Sequence, residues 1–502
     1  MNTVKSKIIL DDSLDKIDVG KPTFCYGHFN VVHPGHIRYL EYAKEIGSKL
    51  CVVIQSDLEL LKNEGDYFFS AEERALNLAS LQIVDHVIIL KETSFSNVIK
   101  AVKPARLVLG REFEYNKSDE LISAAEELAD LGSPIIFHGG DVHYSQSLLT
   151  NKFDLRDNKR HQYLLACKRQ GLSKENLINR ISNFSESSLL VVGDTIVDQY
   201  VACEGIGMSA EAPVVVMREL DEDTFLGGAG IVAAHVRALG AHCHYLSVVG
   251  NDDKSNLVKE YLSGFDVEHS LLEDISRPTT FKIRYLVEEQ KMFRVSRLKE
   301  HNLNREIEQR LIESIESIST EVNGILVCDF LYGVITPKVL KAIRQIATLR
   351  KIPFYCDLQC SSQVGSIMKF GGSDLICPTE REARIGLGAK DDGLEWVANQ
   401  VLDQTSSRNL VMKLGSAGFI AYERKLDGFV NRQPFPALSE NSIDVTGAGD
   451  SLLAALAVGL SSGASLMESS AIGACMAAMA VENIGNRPIG WSQLKQKIAD
   501  FA

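Results

Sequence analysis

Rhythm constrains this chain more than any other feature. Short apolar runs alternate with amphipathic stretches, and they do so in two separate series. From Lys21 onward, TFCYG, LCVVIQ, HVIIL, RLVLG and PIIFHG read as strands, with helical patterns between them near 35–46, 71–81, 94–102 and 118–131. Unbroken apolar runs of this length suit strands buried on both faces, and their alternation with helices builds a parallel sheet covered on both sides. A second series opens at SLLVVGD (Ser188–Asp194). It is β-rich through APVVVM, PTTFKIRYLV and QKMFRVS, then regular again from Asn323. Between the two series, residues 152–187 are polar and charged, with helical spacing and no strand, and their basic residues are expected on a solvated face. The series share a rhythm but no motif, so they are not an internal repeat. The expected organisation is an α/β domain over 20–151, a helical linker over 152–187 and a second α/β domain over 188–502.

Composition narrows the function classes. At 502 residues the chain is long enough for two or more cores, and its formal charge of −13 gives it nothing to gain from counterion release on nucleic acid. A nucleic-acid partner is therefore not expected. Phosphorylated small molecules remain open, because backbone N–H groups and a few local cations can hold phosphate. The ten cysteines form no Cys-x-x-Cys pairs, and several sit in apolar runs, which predicts reduced core thiols and a cytoplasmic location. The opening residues lack the pattern of a signal peptide. No run approaches the roughly 18 apolar residues of a membrane span, so no membrane partner is expected.

The first chemical signal runs from Gly27 through His28 and Phe29 to His33, Gly35 and His36, where a predicted strand gives way to a helix. In an open α/β sheet ligands bind beyond the carboxyl ends of the strands. A helix start there offers free N–H groups to an anion. Two imidazoles three residues apart on the first turn can stabilise charge on a phosphorus under attack. No third ligand is spaced to make this a zinc site. The string resembles the HxGH signature of the cytidylyltransferase-like nucleotidyltransferases. Within that group it looks most like the adenylyltransferase half of the bifunctional heptose-phosphate kinase/adenylyltransferases. The resemblance implies that Lys62 binds the triphosphate, and that Arg74, Gly110, Ser145 and Ser147 help to hold the nucleotide and its phosphates. The chain departs from this family at Asn30, where aspartate is usual, and at Leu109-Gly110-Arg111-Glu112, where Lys-Gly-Gly-Asp is usual and Arg111 can replace the charge of the missing lysine.

The second signal is Asp444-Val445-Thr446-Gly447-Ala448-Gly449-Asp450, just before a helix rich in small residues. Small residues at a helix start expose backbone N–H groups as an anion hole, and a carboxylate closing the loop can take a proton from an attacking hydroxyl. No Gly-Lys-Ser/Thr follows, so this is not a Walker loop. The string resembles the second signature of the PfkB, or ribokinase-like, sugar kinases. The resemblance implies a ribokinase-like α/β domain with a small β lid. In it Asp450 is the general base and Gly447, Ala448 and Gly449 form the anion hole. Gly415 and Gly418 lie under ATP, Glu382 is linked to Mg²⁺ and phosphate, and Asp194, Asp198, Gly227 and Gly228 bind sugar. The departures here are Ile231 and Thr379, each where asparagine is usual, and Gln359, which replaces the lysine of an Asp-Pro-Lys segment.

Together the two resemblances imply a kinase that makes a sugar 1-phosphate and a Rossmann-like transferase that converts it to a nucleotide-sugar, ADP-heptose-like, for surface glycans. Its partners would be ATP or another nucleoside triphosphate and a sugar phosphate. Mg²⁺ would enter with ATP or CTP, with no direct side-chain metal motif, and the lid implies a homo-oligomer. The competing expectation is an adenylyl- or cytidylyltransferase whose kinase-like half is altered in specificity or only binds. Its support is the pair of substitutions at 231 and 379.

Overall fold

Each apolar run of the first series becomes a strand, buried for the most part except at the half-buried edge strand Ile135–Phe137. A computed structural model describes residues 2–10, 20–29, 32, 34–57, 69–90, 93–110, 119–137, 155–287, 290–360, 365–390, 392–425, 428–439 and 443–501. The chain divides into two units, Met1–Lys152 with Asp391–Trp396, and Phe153–Lys390 with Val397–Ala502. In the first unit the strands are β1 (Ile8–Leu10), β2 (Thr23–Gly27), β3 (Leu50–Ile54), β4 (His86–Ile89), β5 (Arg106–Leu109) and β6 (Ile135–Phe137). They form one all-parallel sheet in the order β1-β4-β3-β2-β5-β6. Every residue of β2 and β3 is buried, as strands covered on both faces must be. β1 lies before the expected domain start, and three residues are too few to leave a periodic signal.

The helices between these strands are α1 (Pro34–Glu45), α2 (Ala71–Ala79), α3 (Phe95–Val102) and α4 (Asp119–Asp130). Ser70 caps α2, with Glu73 closing a capping box, and Ser94 caps α3. Tyr39 donates from α1 to the Val108 carbonyl at 2.6 Å, which seats that helix over β5. After β2 the sheet grows toward β3 and β4, and it then turns back to add β5 on the other side of β2. That reversal places a crevice at the carboxyl end of β2.

In the second unit the main sheet has nine strands: β7 (Ser188–Gly193), β10 (His242–Val249), β11 (Glu268–Glu273), β14 (Gly324–Asp329), β15 (Phe354–Leu358), β16 (Leu375–Ile376), β17 (Asn409–Lys413), β18 (Phe419–Arg424) and β19 (Val430–Phe435). Their order is β11-β10-β7-β14-β15-β16-β17-β18-β19, parallel as far as β17 and antiparallel beyond it. A separate four-stranded sheet, β13-β12-β8-β9, is built from β8 (Thr195–Met208), β9 (Val215–Gly228), β12 (Thr280–Val287) and β13 (Gln290–Arg297). It is the small β lid that the resemblance to the ribokinase-like kinases implies.

Residues 155–182 are helical, as α5 (Leu155–Arg169) and α6 (Lys174–Ser182). They are more than a solvated spacer. Tyr163, Ala166, Cys167, Leu177 and Ile181 are buried in the same core as β7 and β10. The charges that dominate this segment hide four-residue steps of apolar side chains, which is why composition alone suggests a linker. Later helices used below are α7 (Ala229–Ala238), α8 (Glu380–Leu387), α9 (Ala448–Ser461) and α10 (Leu466–Val481). A Cβ on Gly459 would stand 2.4 Å from Ser469 Oγ, and one on Gly473 would stand 2.6 Å from Leu452 Cδ1, so glycine sets how closely α9 and α10 pack. Among the described residues no helix is long and apolar enough to cross a membrane.

Candidate active sites

In the first unit the carboxyl ends of β2, β3 and β5 deliver Gly27 and His28, Gln55 to Asp57, and Gly110 to one edge of the sheet. Phe29 adopts a left-handed φ of 46°, an uncommon conformation for a non-glycine residue, and its buried ring lies 4.9 Å from the His36 ring on α1. Gly35 is buried in the first turn of that helix. His33, Lys62, Ser145 and Ser147 lie outside the described residues.

Arg74 differs from its sequence expectation as a nucleotide-phosphate ligand. Its side chain is fully buried on α2, and its guanidinium donates to the carbonyls of His28, Gln55 and Phe69 and pairs with Asp57 at 2.8 Å. With four of its five N–H groups engaged by backbone oxygens and a carboxylate, Arg74 braces the ends of β2 and β3.

The second unit holds a cleft of about 630 Å³ between the lid and the carboxyl edge of the main sheet. Asp450 stands in the first turn of α9 and lines this cleft together with Gly447, Ala448 and Gly449. Gly447 has φ of 84°, and a Cβ there would stand 2.4 Å from Asn486 Oδ1, so the turn requires glycine. Asp450 Oδ1 accepts from Gln359 Nε2 at 2.6 Å. Burial pushes the Asp450 carboxyl up to about 6, against the opposing pull of Lys413 and the Gln359 hydrogen bond.

Gly415 and Gly418 line the same cleft in the turn after β17. Gly418 has φ of 98°, and any Cβ there would meet the Phe435 carbonyl at 2.1 Å. Glu382 is also on the wall, but both its oxygens are occupied: Oε1 accepts from Cys360 N at 3.0 Å and Oε2 from Thr379 N at 2.8 Å. Thr379 caps α8 and completes a capping box with Glu382, so threonine at this position does the work of a helix start. Ile231 lies wholly buried within α7 and does not line the cleft.

The two predicted sugar-binding aspartates part company. Asp198, on β8, lines the cleft and pairs with Arg284. A Cβ on Gly227 would stand 2.3 Å from Asp198 Oδ2, and Gly228, with φ of 60°, starts α7 and lines the cleft. Asp194 is absent from the cleft wall. Its carboxylate accepts from the backbone N–H groups of Phe330, Tyr332 and Val334 at 2.8, 3.3 and 3.3 Å, and burial beside Asp329 pushes it up to about 7. It therefore shapes the loop after β14.

Sequence inspection missed the cations of the cleft. Lys282 and Arg284 alternate along β12, and Arg294 stands directly opposite Arg284 on β13. Lys282 is the register partner of Asp198. Like charges facing one another across a strand pair destabilise a sheet unless an anion lies between them. The available signal was Lys282 and Arg284 at period two inside an otherwise apolar strand. Lys159 of α5 also lines the cleft, from a segment read as linker. Among the described residues no group of three or more His, Cys, Asp or Glu side chains is arranged to hold a metal ion.

Known proteins match both halves. Residues 24–151 match the cytidylyltransferase-like family and residues 186–491 the pfkB family carbohydrate kinases. Among curated relatives, a "Bifunctional protein HldE" of Trichlorobacter lovleyi is 32% identical over 319 residues, 63% of each chain. Another of that name, from Campylobacter jejuni subsp. jejuni, is 31% identical over 311 residues, 61% of this chain and 64% of its own. The match thus spans less than two thirds of these relatives' length. Among solved structures, Escherichia coli phosphofructokinase-2 in its tetrameric inhibited form aligns with TM-score 0.52 at 16% identity, covering 63% of this chain and 99% of that one. The same enzyme with substrates and products aligns equally well at 17% identity. At such identities the likeness concerns the fold, which is that of the sheet, lid and cleft described above. With a matching region that spans more than half of its length, this chain belongs to the pfkB family of carbohydrate kinases and carries a cytidylyltransferase-like domain ahead of the kinase region.

Proposed function

We propose that the chain is a bifunctional enzyme that phosphorylates a sugar phosphate at a second position and that, in its other half, converts a sugar 1-phosphate into a nucleotide-sugar of the ADP-heptose type. The observation that carries this is the pairing of Asp450, at the glycine turn, with Lys282, Arg284 and Arg294 across one cleft. Asp450 takes the proton of the sugar hydroxyl, whose oxygen attacks the γ-phosphorus of ATP as ADP leaves. The N–H groups of the Gly447–Gly449 turn and the start of α9 receive the developing charge. The lid cations hold the phosphate that the sugar already carries. Mg²⁺ would be held by the nucleotide itself, with no side-chain cluster among the described residues to bind it, and would supply neutralisation of the charge on its phosphates. Glu382, with both oxygens on backbone N–H groups, orders the loop beside them.

In the first unit the 1-phosphate attacks the α-phosphorus of a second nucleotide and pyrophosphate leaves. His33 and His36 stabilise the pentavalent centre, Lys62, Ser145 and Ser147 grip the triphosphate, and no covalent intermediate is needed. The competing reading, a transferase with a binding-only kinase half, drew on Ile231 and Thr379. Burial of the first and the capping role of the second supply ordinary structural reasons for both. All ten cysteines are free, nine of them buried, which supports a reducing, cytoplasmic setting. The lid leaves Ile206, Met208, Val215, Leu220, Met292 and Phe293 exposed, which supports pairing of two copies through it.

The test is a coupled assay. A panel of sugar phosphates is offered with ATP, and ADP and pyrophosphate are followed separately with ATP, CTP, GTP and UTP. ADP release without any phosphorylated acceptor, or from none of the acceptors, would overturn the reading.

A further inference from the structure

The chain lacks a lysine at 359, where the heptose-phosphate kinases it resembles carry one, and yet a lysine reaches the same carboxylate from elsewhere. Lys413 is the last residue of β17, and its backbone N–H donates to the Pro378 carbonyl at 2.8 Å. Its Nζ lies 2.8 Å from Asp357 Oδ1 and 3.0 Å from Oδ2, with the lysine side chain only 12% exposed. The same Nζ lies 3.6 Å from the point where a Cβ would sit on Gly449, directly behind the glycine turn. Gln359 points its amide at Asp450 at 2.6 Å and stands within 3.5 Å of Asp357. A line of contacts therefore runs from Lys413 through Asp357 and Gln359 to Asp450.

We propose that Lys413 is a positioning residue of the phosphoryl transfer, supplying from β17 the positive charge that position 359 does not carry and orienting Asp450 through Asp357 and Gln359. The charge balance supports this. The carboxylates of Asp357, Glu382, Asp450 and Asp198 converge on this end of the cleft, and the cations facing Asp450 are Lys413 and, from the lid, Lys282. Burial works against the Lys413 ammonium, but Asp357 and Glu382 outweigh it and hold its pKa above the ordinary lysine value, so it stays charged. A fixed cation behind the turn also favours the incoming anionic phosphoryl group.

The inference rests on the kinase reading above, and the experiment separates the two. Full-length wild type, Lys413→Thr and Lys413→Thr/Gln359→Lys are compared for ADP release across pH with a sugar phosphate that wild type accepts. Without Lys413, Asp450 is harder to ionise. The acid limb of kcat/KM then moves up by about one pH unit and activity at pH 6 falls about fivefold. The double variant, with its lysine restored just after the end of β15, returns the limb toward wild type. A folded Lys413→Thr enzyme with an unmoved acid limb overturns the proposal even if its rate is lower. A folded double variant that recovers nothing does the same, and so does failure of both variants to fold, since the lysine is then a structural residue. A wild type that releases no ADP from any sugar phosphate instead sinks the kinase reading itself.

Discussion

At the scale of single residues, the same side-chain type serves opposite ends. Asp450 and Asp194 are both buried carboxylates raised by burial, to about 6 and about 7. Asp194 is wrapped by backbone N–H groups, whereas Asp450 accepts one side-chain hydrogen bond and faces the cleft. Only the second is placed to receive a proton. Because the base must be ionised, ADP formation should fall as pH drops through about 6 and level off above it. A pH profile of kcat/KM checks this. Asp450→Asn, nearly isosteric, should lower kcat for ADP formation by roughly 10²- to 10⁴-fold while ATP still binds. A variant that keeps its rate would remove Asp450 from the chemistry. Arg74 shows the same division in the first unit. Its motif position suggested a phosphate ligand, but four of its five donors are engaged by His28, Gln55, Phe69 and Asp57. Sequence displays a residue's capacity to bind and gives no sign that the protein has already filled it.

At the scale of elements, helix starts carry the functional design. α1 and α9 each begin at the carboxyl edge of a largely parallel sheet, where unsatisfied N–H groups and the helix dipole favour anions. α8 begins nearby with a filled capping box, Thr379 to Glu382 and back. Its end is closed by its own side chains. Replacing Thr379 by Ala should cost about 1 kcal/mol of stability, while Asn, an equally good cap, should leave the melting temperature within about 1 °C of wild type. Thermal unfolding monitored by circular dichroism decides between them. If Thr379→Asn instead changed ADP turnover with stability intact, position 379 would belong to substrate recognition. The lid hairpin carries its cations at alternate positions, so one strand face meets the cleft while the sheet tip stays apolar and exposed.

At the scale of the whole molecule, the two units have separate sheets and separate cores. Their chemistry should therefore be separable. His36→Ala should remove pyrophosphate release and leave ADP formation within about twofold, and Asp450→Asn should do the reverse. Parallel loss of both activities in either variant would show that the units act as one. The apolar lid tip belongs to this scale too. Val215, 59% exposed on β9, replaced by Asp should shift the molecule toward monomers in light scattering, with the fold unchanged by circular dichroism. A wild type that is monomeric at micromolar concentration would dispose of lid-mediated pairing.

What the sequence determined by itself was local. Unbroken apolar runs dictate buried parallel strands, and glycine turns next to helix starts dictate where anions can sit, because both depend only on neighbours along the chain. The division into two α/β series and the Gly447–Asp450 turn were legible on those grounds, whereas the lid was expected only through the family resemblance. What tertiary structure decided was the pairing of distant groups. Arg284 meets Arg294 across the lid, Lys413 meets Asp357 between strand ends, Arg74 is consumed by carbonyls, and α5 and α6 are folded into a core that their charged composition conceals. Each depends on which strands lie side by side and in what register, and that choice is made by the packing of the whole sheet, which no stretch of sequence contains.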